Sequence, residues 1–322
     1  MVEGKIMTIQ PAKISVIIPV YNVEKYLSAC LSSCVEQTLY DVEFICINDG
    51  STDNSPQILE EFAAIDKRFI IINQENKGIS AARNAGLDIA TGQYIMFLDA
   101  DDFLDKNACE RVWCESLEAP TDIVVFSTHL FPDNPYPTEW HFSVVNAPTR
   151  RYWEFSPNMF FGEKSTRPFI WHQAFKKEIL DEHNIRFDDG INLGEDLIFL
   201  FKFYPNATYF SFIQDQLYNY RWYRKGSAMH TVLKNMDTKI QQDLETTEVI
   251  CEYWKQQGWL ETYGTEFLQW LIEFIVFSIR SKGVKEHKKL YKLLVEQIKK
   301  YELDQYFEDI SSAHKKLISS YI

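Results

Sequence analysis

The chain has 322 residues, 46% apolar, 15% aromatic and 25% charged. That mixture excludes a disordered or fibrous protein, and the length suits one large domain or a catalytic domain with an appended region. A formal charge of −13 repels phosphate backbones, so nucleic-acid binding is excluded as the main role.

The charge is uneven: from Arg280 onward ten Lys and Arg stand against six Asp and Glu, leaving 23 against 40 in the body. Six cysteines form no CxxC pair, and five lie in apolar runs, where a thiol behaves as a small buried hydrophobe. The first residues, MVEGKIMTIQPAK, lack the apolar run of a signal peptide. Residues 267–279 are interrupted by Gln269 and Glu273 and fall short of the roughly 20 residues of a membrane span. The expectation is a cytoplasmic, reducing location, with the basic tail allowing peripheral contact at the inner membrane face.

Four short β-branched runs follow one another: ISVIIP (14–19), VEFICIN (42–48), FIIIN (69–73) and YIMFLD (94–99). Continuous apolar runs of this length predict strands buried on both faces. Helical spacing separates them: Leu27, Leu31, Cys34 and Val35, then Ile58, Leu59, Phe62 and Ile65, then Ile79, Ala82, Ala85 and Ile89. The alternation predicts a parallel sheet with helices on both faces. Each strand runs straight into a polar cluster: 20–22, 49–53, 75–78 and 99–102. Such loops converge at the carboxyl edge, where open α/β sheets bind ligands, although each alone is ordinary turn chemistry and Asp53 could simply cap a helix. The sharpest cluster is Asp99, Asp101 and Asp102, whose mutual repulsion a hard divalent cation would relieve together with substrate phosphates.

VIIPVYN (16–22), NDGSTDNS (48–55), NKGISAARNAG (76–86) and FLDADD (97–102) together resemble the family 2 glycosyltransferases of the GT-A fold. The resemblance is dense over roughly the first 110 residues and thinner to about residue 230. It implies an inverting, metal-dependent transfer from a nucleotide-diphosphate sugar, with UDP as the expected nucleotide and Mn²⁺ or Mg²⁺ as the cofactor. Carried over by position, it implies that Pro19, Tyr21 and Asn22 line the nucleotide pocket with Gly78, and that Asp49 meets the base. Arg83 is expected near the diphosphate or sugar, Asp99 at ribose or sugar, and Asp101 at the metal.

Beyond these motifs, DIVVFS (122–127) predicts a further strand, and residues 131–167 read as an irregular, aromatic-rich excursion suited to the acceptor side. Trp171 is the candidate acceptor platform, with core packing the competing role of a large aromatic. NLGEDLIFL (192–200) predicts a helix start, and its first-turn acids need no function. The resemblance nevertheless assigns Asp196 as general base, with Glu195 second. In YNYRWYRKGS (218–227), Arg221 and Ser227 suit diphosphate oxygens.

No HxxxH, GxSxG, P-loop or GxGxxG pattern is present. The reading is a mostly parallel α/β catalytic domain over 12–230, with a nucleotide-binding half at 12–104 and an acceptor half at 105–230. A helical C-terminal region over 231–322 follows, with an apolar face of Trp270, Leu271, Phe274 and Phe277, suited to packing, homodimer formation or lipid. The expected acceptor is a glycan or lipid-linked saccharide in cell-surface polysaccharide synthesis. A noncatalytic nucleotide-sugar binding or scaffolding protein is the rival; a sugar nucleotidyltransferase would need a Gly-rich, Arg-containing loop where PVYN stands.

Overall fold

A computed structural model of the chain describes residues 12–131, 143–191, 193–221, 235–281 and 283–319. Strands β1 (Ile14–Val20), β2 (Val42–Asp49), β3 (Phe69–Gln74) and β4 (Tyr94–Phe97) pair in parallel in the order β3-β2-β1-β4. Helices α1 (Glu24–Val35), α2 (Ser55–Ile65) and α3 (Ile79–Ile89) make the crossovers. The sheet continues through β8 (Gln173–Lys176), β6 (Ile123–Phe131) and β9 (Phe210–Arg221) to the two-residue β5 (Phe103–Leu104), with β7 (Arg150–Tyr152) also on β9.

Parallel pairing therefore dominates only the first half. β8 runs antiparallel to both β4 and β6, and β5 and β7 run antiparallel to β9. The β3 run differs from its expected burial on both faces: β3 is the sheet edge, with Ile70 exposed and Ile71 and Ile72 half-buried. The cysteines follow expectation, with Cys30, Cys34, Cys46, Cys109 and Cys251 buried and Cys114 exposed.

Helix α1 and α4 (Ala108–Glu118) cover one face through Leu27, Leu31, Cys34, Cys109 and Val112. The other face is covered by α3 and by the helix Glu195–Phe203. Gly86 lets α3 approach the sheet closely, since a Cβ there would lie 2.5 Å from Ile17 Cγ2. This brings Arg83, three residues earlier on α3, to the carboxyl edge of β4.

Residues 231–322 read from the sequence as an appendage, yet the described part shares one buried core with the sheet. Phe199 of the helix Glu195–Phe203 packs on Phe97 of β4 at 5.7 Å, while Phe201 packs on Trp254 at 5.4 Å and Trp270 at 4.4 Å. Trp254 lies on the helix Met236–Gln256 and Trp270 on Trp259–Ile279. The Glu195–Phe203 helix is thus sandwiched between the sheet and the C-terminal helices. Trp270 and Leu271 are buried and Phe274 is half-buried, but Phe277 is 75% exposed and does not join that face. Among the described residues, four tail lysines have carboxylate neighbours: Lys289 with Glu286, Lys292 with Glu296, Lys300 with Glu248 and Lys315 with Glu308. No described helix is long and apolar enough to cross a membrane.

Candidate active site

The polar loops after β1, β2 and β3 meet at the carboxyl edge and are tied together by side chains. Asn22, at φ 50°, accepts from Thr52 N–H at 2.8 Å through Oδ1, and its own N–H donates to Ser51 Oγ. Asp53 does cap, and across elements: its carboxylate accepts from Glu24 N–H at the start of α1 and from Ser55 N–H at the start of α2. Burial opposes ionisation of Asp53, but these bonds hold its carboxyl below the usual range.

Asp49 is buried and accepts three hydrogen bonds. It accepts from Gln74 Nε2 at 2.8 Å and from the backbone N–H groups of Lys77 and Gly78 at 2.9 Å each. Its carboxylate therefore shapes the loop leading into α3. Tyr21 is half exposed at the mouth of the same edge, and Pro19 is half-buried in β1.

At the centre stands Arg83, 2% exposed. Its Nη1 donates to Asp196 Oδ1 at 2.7 Å and to Glu195 Oε1 at 3.2 Å, and its Nη2 to Asp99 Oδ1 at 3.3 Å. The guanidinium also lies over the Phe187 ring at 5.2 Å, while its Nε has no hydrogen-bond partner among the described residues. One buried cation thus joins residues 83, 99, 195 and 196, and the carboxylates raise its own pKa against burial. Burial pushes the Asp196 carboxyl up to about 7; Arg83 and the Ile170 backbone N–H pull against that, and Glu195 and Asp99 add to it. Asp99 is likewise raised, first by burial and then by Asp101, against Arg83.

The three aspartates of FLDADD do not act as one cluster. Asp99 turns to Arg83. Asp102 is 1% exposed and accepts from Tyr218 O–H at 2.8 Å and from Arg221 N–H at 2.6 Å. The Tyr218 hydroxyl also accepts from Asp99 N–H at 3.2 Å, so one buried phenol from β9 fixes both ends of the motif. The short β5 pairs Phe103 with Asn219 and Leu104 with Tyr218, which sets this register. Asp101 is half-buried beside Arg221, whose Nε donates to the Asp101 carbonyl at 2.8 Å and whose guanidinium lies 5.0 Å over the Tyr26 ring.

No group of three or more His, Cys, Asp or Glu side chains among the described residues is arranged to hold a metal alone. The donor set still fits a hard cation, because Mg²⁺ and Mn²⁺ sites commonly use one or two carboxylates and complete their shell with water and substrate phosphate. Asp101, half-buried in the loop that follows β4, is a carboxylate of that kind.

Trp171 departs from the acceptor-platform expectation in its surroundings. It is 3% exposed and stacks on Phe169, Tyr218 and Tyr220 at 4.8 to 5.0 Å, so protein rings occupy its neighbourhood. Arg221 does reach the central loop, whereas Ser227 lies outside the described residues. Sequence reasoning missed Tyr218, although it stands in the quoted 218–227 segment, because nothing local shows that β9 pairs with the loop following β4.

Residues 15–183 match the family model described as glycosyl transferase family 2. Glycosyltransferase GlyA of Streptococcus pneumoniae is 34% identical over 241 residues, covering 71% of this chain and 34% of that protein. The poly(ribitol-phosphate) beta-glucosyltransferase of Bacillus spizizenii is 32% identical over 222 residues, covering 67% of this chain and 33% of that protein. The chain thus spans about a third of the length of both relatives. Among solved structures, residues 1–349 of S. aureus TarS in complex with UDP-GlcNAc superpose with a TM-score of 0.62 at 20% identity, over 96% of this chain and 91% of that one. That likeness establishes a shared fold. With a family model matching more than half its length and the expected α/β architecture in place, the chain belongs to glycosyl transferase family 2 and has the GT-A fold.

Proposed function

We propose that this protein transfers a sugar, with inversion, from a UDP-sugar to a hydroxyl of a glycan or lipid-linked saccharide in cell-surface polysaccharide synthesis. The observation that carries the reading is the convergence of Asp196, Glu195 and Asp99 on the buried Arg83 at the ligand-binding edge of the sheet. The nucleotide reading is supported by the TarS complex with UDP-GlcNAc, and the polymer reading by the name of the B. spizizenii relative.

In this mechanism residues 12–104 hold the donor, with Pro19, Tyr21 and Asn22 lining the nucleotide pocket beside Gly78 and Asp49 meeting the base. Asp196 accepts the proton of the acceptor hydroxyl, whose oxygen attacks the anomeric carbon from the face opposite the nucleotide. As that bond forms, the bond from the anomeric carbon to the diphosphate oxygen breaks, and its electron pair leaves with UDP. A carboxyl near 7 is matched to this task, since a base works best with a pKa close to the operating pH. Arg83 orients the base and keeps three carboxylates tolerable in one buried place. Asp101 would hold Mn²⁺ or Mg²⁺, which supplies charge neutralisation for the leaving diphosphate. Arg221, anchored on the Asp101 carbonyl, contributes a second positive charge at that end.

The test is UDP release from UDP-glucose, UDP-galactose and UDP-N-acetylglucosamine with an extract of cell-surface glycans as acceptor, with Mn²⁺ and with EDTA. Metal-dependent release from at least one donor, stimulated by acceptor, is expected. Nucleotide binding without release from any donor would instead support the scaffolding alternative.

A further inference from the structure

The Glu195–Asp196 pair sits at the first turn of a helix whose entry is held by a second contact, unrelated to the donor loops. Thr246, on the helix Met236–Gln256, is 3% exposed, and its hydroxyl donates to the Leu193 carbonyl at 2.9 Å. The next residue, Gly194, takes φ +91°, and a Cβ built there would stand 2.6 Å from both Thr246 Oγ1 and Cγ2. The turn therefore needs glycine twice over, for its left-handed backbone and for the space that Thr246 fills. One turn beyond the pair, Trp254 Nε1 donates to the Phe201 carbonyl at 2.9 Å, so the same C-terminal helix grips this segment at both ends. Opposite this grip stands Arg83, holding the two carboxylates from α3.

We propose that Thr246 is a positioning residue for the Glu195–Asp196 turn, and that the C-terminal helical region completes the catalytic site by fixing where the base stands. The proposal rests on the reading of Asp196 as the base. Its physical ground is distance: a proton acceptor must sit within hydrogen-bond reach of the attacking hydroxyl. A carbonyl released by loss of its donor lets the glycine turn relax toward other conformations, which moves Asp196 without touching the donor loops. Leu193 and Thr246 are 53 residues apart in the chain, and Thr246 lies outside the motifs that resemble the family.

The experiment uses the full chain with Thr246→Val, which keeps the shape and removes the hydroxyl, and Thr246→Ser, which keeps the hydroxyl. Turnover is followed as UDP release from the same three UDP-sugars in the presence of Mn²⁺, and amide hydrogen exchange is followed over residues 193–200. Thr246→Val should lower kcat about tenfold, the lower end for an outer-shell orienting contact. Its KM for the donor should stay unchanged, exchange at 193–200 should be faster, and exchange at 12–104 should be unaltered. Thr246→Ser should recover most of the kcat, which a purely space-filling role would not do. Wild-type kcat in Thr246→Val, or a serine variant no better than the valine one, would overturn the proposal. If the wild-type protein releases no UDP from any donor, the transferase reading fails, and exchange still decides the contact: an unchanged rate at 193–200 in Thr246→Val overturns it.

Discussion

Arg83 Nη1 stands 2.7 Å from Asp196 Oδ1, a contact between residues 113 positions apart that joins the first βα half of the fold to the helix carrying the candidate base. The same guanidinium reaches Glu195 and Asp99, so its planar fork matters as much as its charge. Arg83→Lys keeps the charge as a point and cannot serve both sides. It should lower kcat by at least tenfold while folding is retained, whereas Arg83→Ala should also destabilise by about 3 kcal/mol, because it strands buried carboxylates. Chemical denaturation beside UDP-release kinetics checks both. A lysine variant with full activity would show that charge alone suffices.

The pH dependence follows from Asp196. Its folded pKa, about 7, lies above the ordinary carboxyl value, so its ionisation opposes folding. This contribution to stability is fully present below about pH 4 and is lost as pH rises toward 7. Activity runs the other way, since only the carboxylate accepts a proton: kcat should rise through a midpoint near 7 and level off above it. Asp196→Asn, neutral at every pH, should melt no lower than wild type at about pH 8, above that midpoint. A flat kcat profile from about pH 5 to 8 would contradict the assignment.

Tyr218→Phe tests how the metal loop is held. The phenol donates to buried Asp102 and accepts from Asp99 N–H, and its loss leaves both without that partner. A cost of about 1–3 kcal/mol is expected from the unsatisfied buried groups. Mn²⁺-dependent UDP affinity should fall as well, because Asp101 lies between the two anchored positions. Calorimetric titration of UDP with and without Mn²⁺ measures it, and unchanged affinity would mean that the loop keeps its shape without the phenol.

Gly194→Ala meets two obstacles, a left-handed φ of +91° and Thr246 atoms at 2.6 Å. It should cost about 1–3 kcal/mol and depress kcat more than nucleotide affinity. Thermal melts and UDP titration of the variant give the comparison, and a variant as active as wild type would show that the turn tolerates displacement.

The strands β1, β2 and β4 were legible because their runs are short, apolar and followed by polar clusters, and the carboxyl-edge site follows from that alternation. The edge position of β3 is not legible, since an edge strand with an apolar inner face and a central strand read alike when the run is only FIIIN. The grouping of Arg83 with Asp99, Glu195 and Asp196 lay beyond local pattern, because it needs the packing of α3 and the helix Glu195–Phe203 on one face of the sheet. The acids of FLDADD were visible as a cluster but not as three different roles, since their partners Arg83, Tyr218 and Arg221 arrive from distant segments. Trp171 shows the limit for aromatics: composition marks a large ring but does not tell whether a sugar or the rings of Phe169, Tyr218 and Tyr220 will face it.

Asp196→Asn tests most directly whether Asp196 takes the acceptor proton, because asparagine keeps the size and can still accept from Arg83 but cannot take up the proton. The decisive measurement is kcat for UDP release alongside UDP affinity in Mn²⁺, for the variant and the wild type. Affinity should stay unchanged while kcat falls by roughly 10² to 10⁴, the usual range for loss of a general base. Near-normal turnover in Asp196→Asn, or a larger loss in Glu195→Gln, would contradict that role for Asp196.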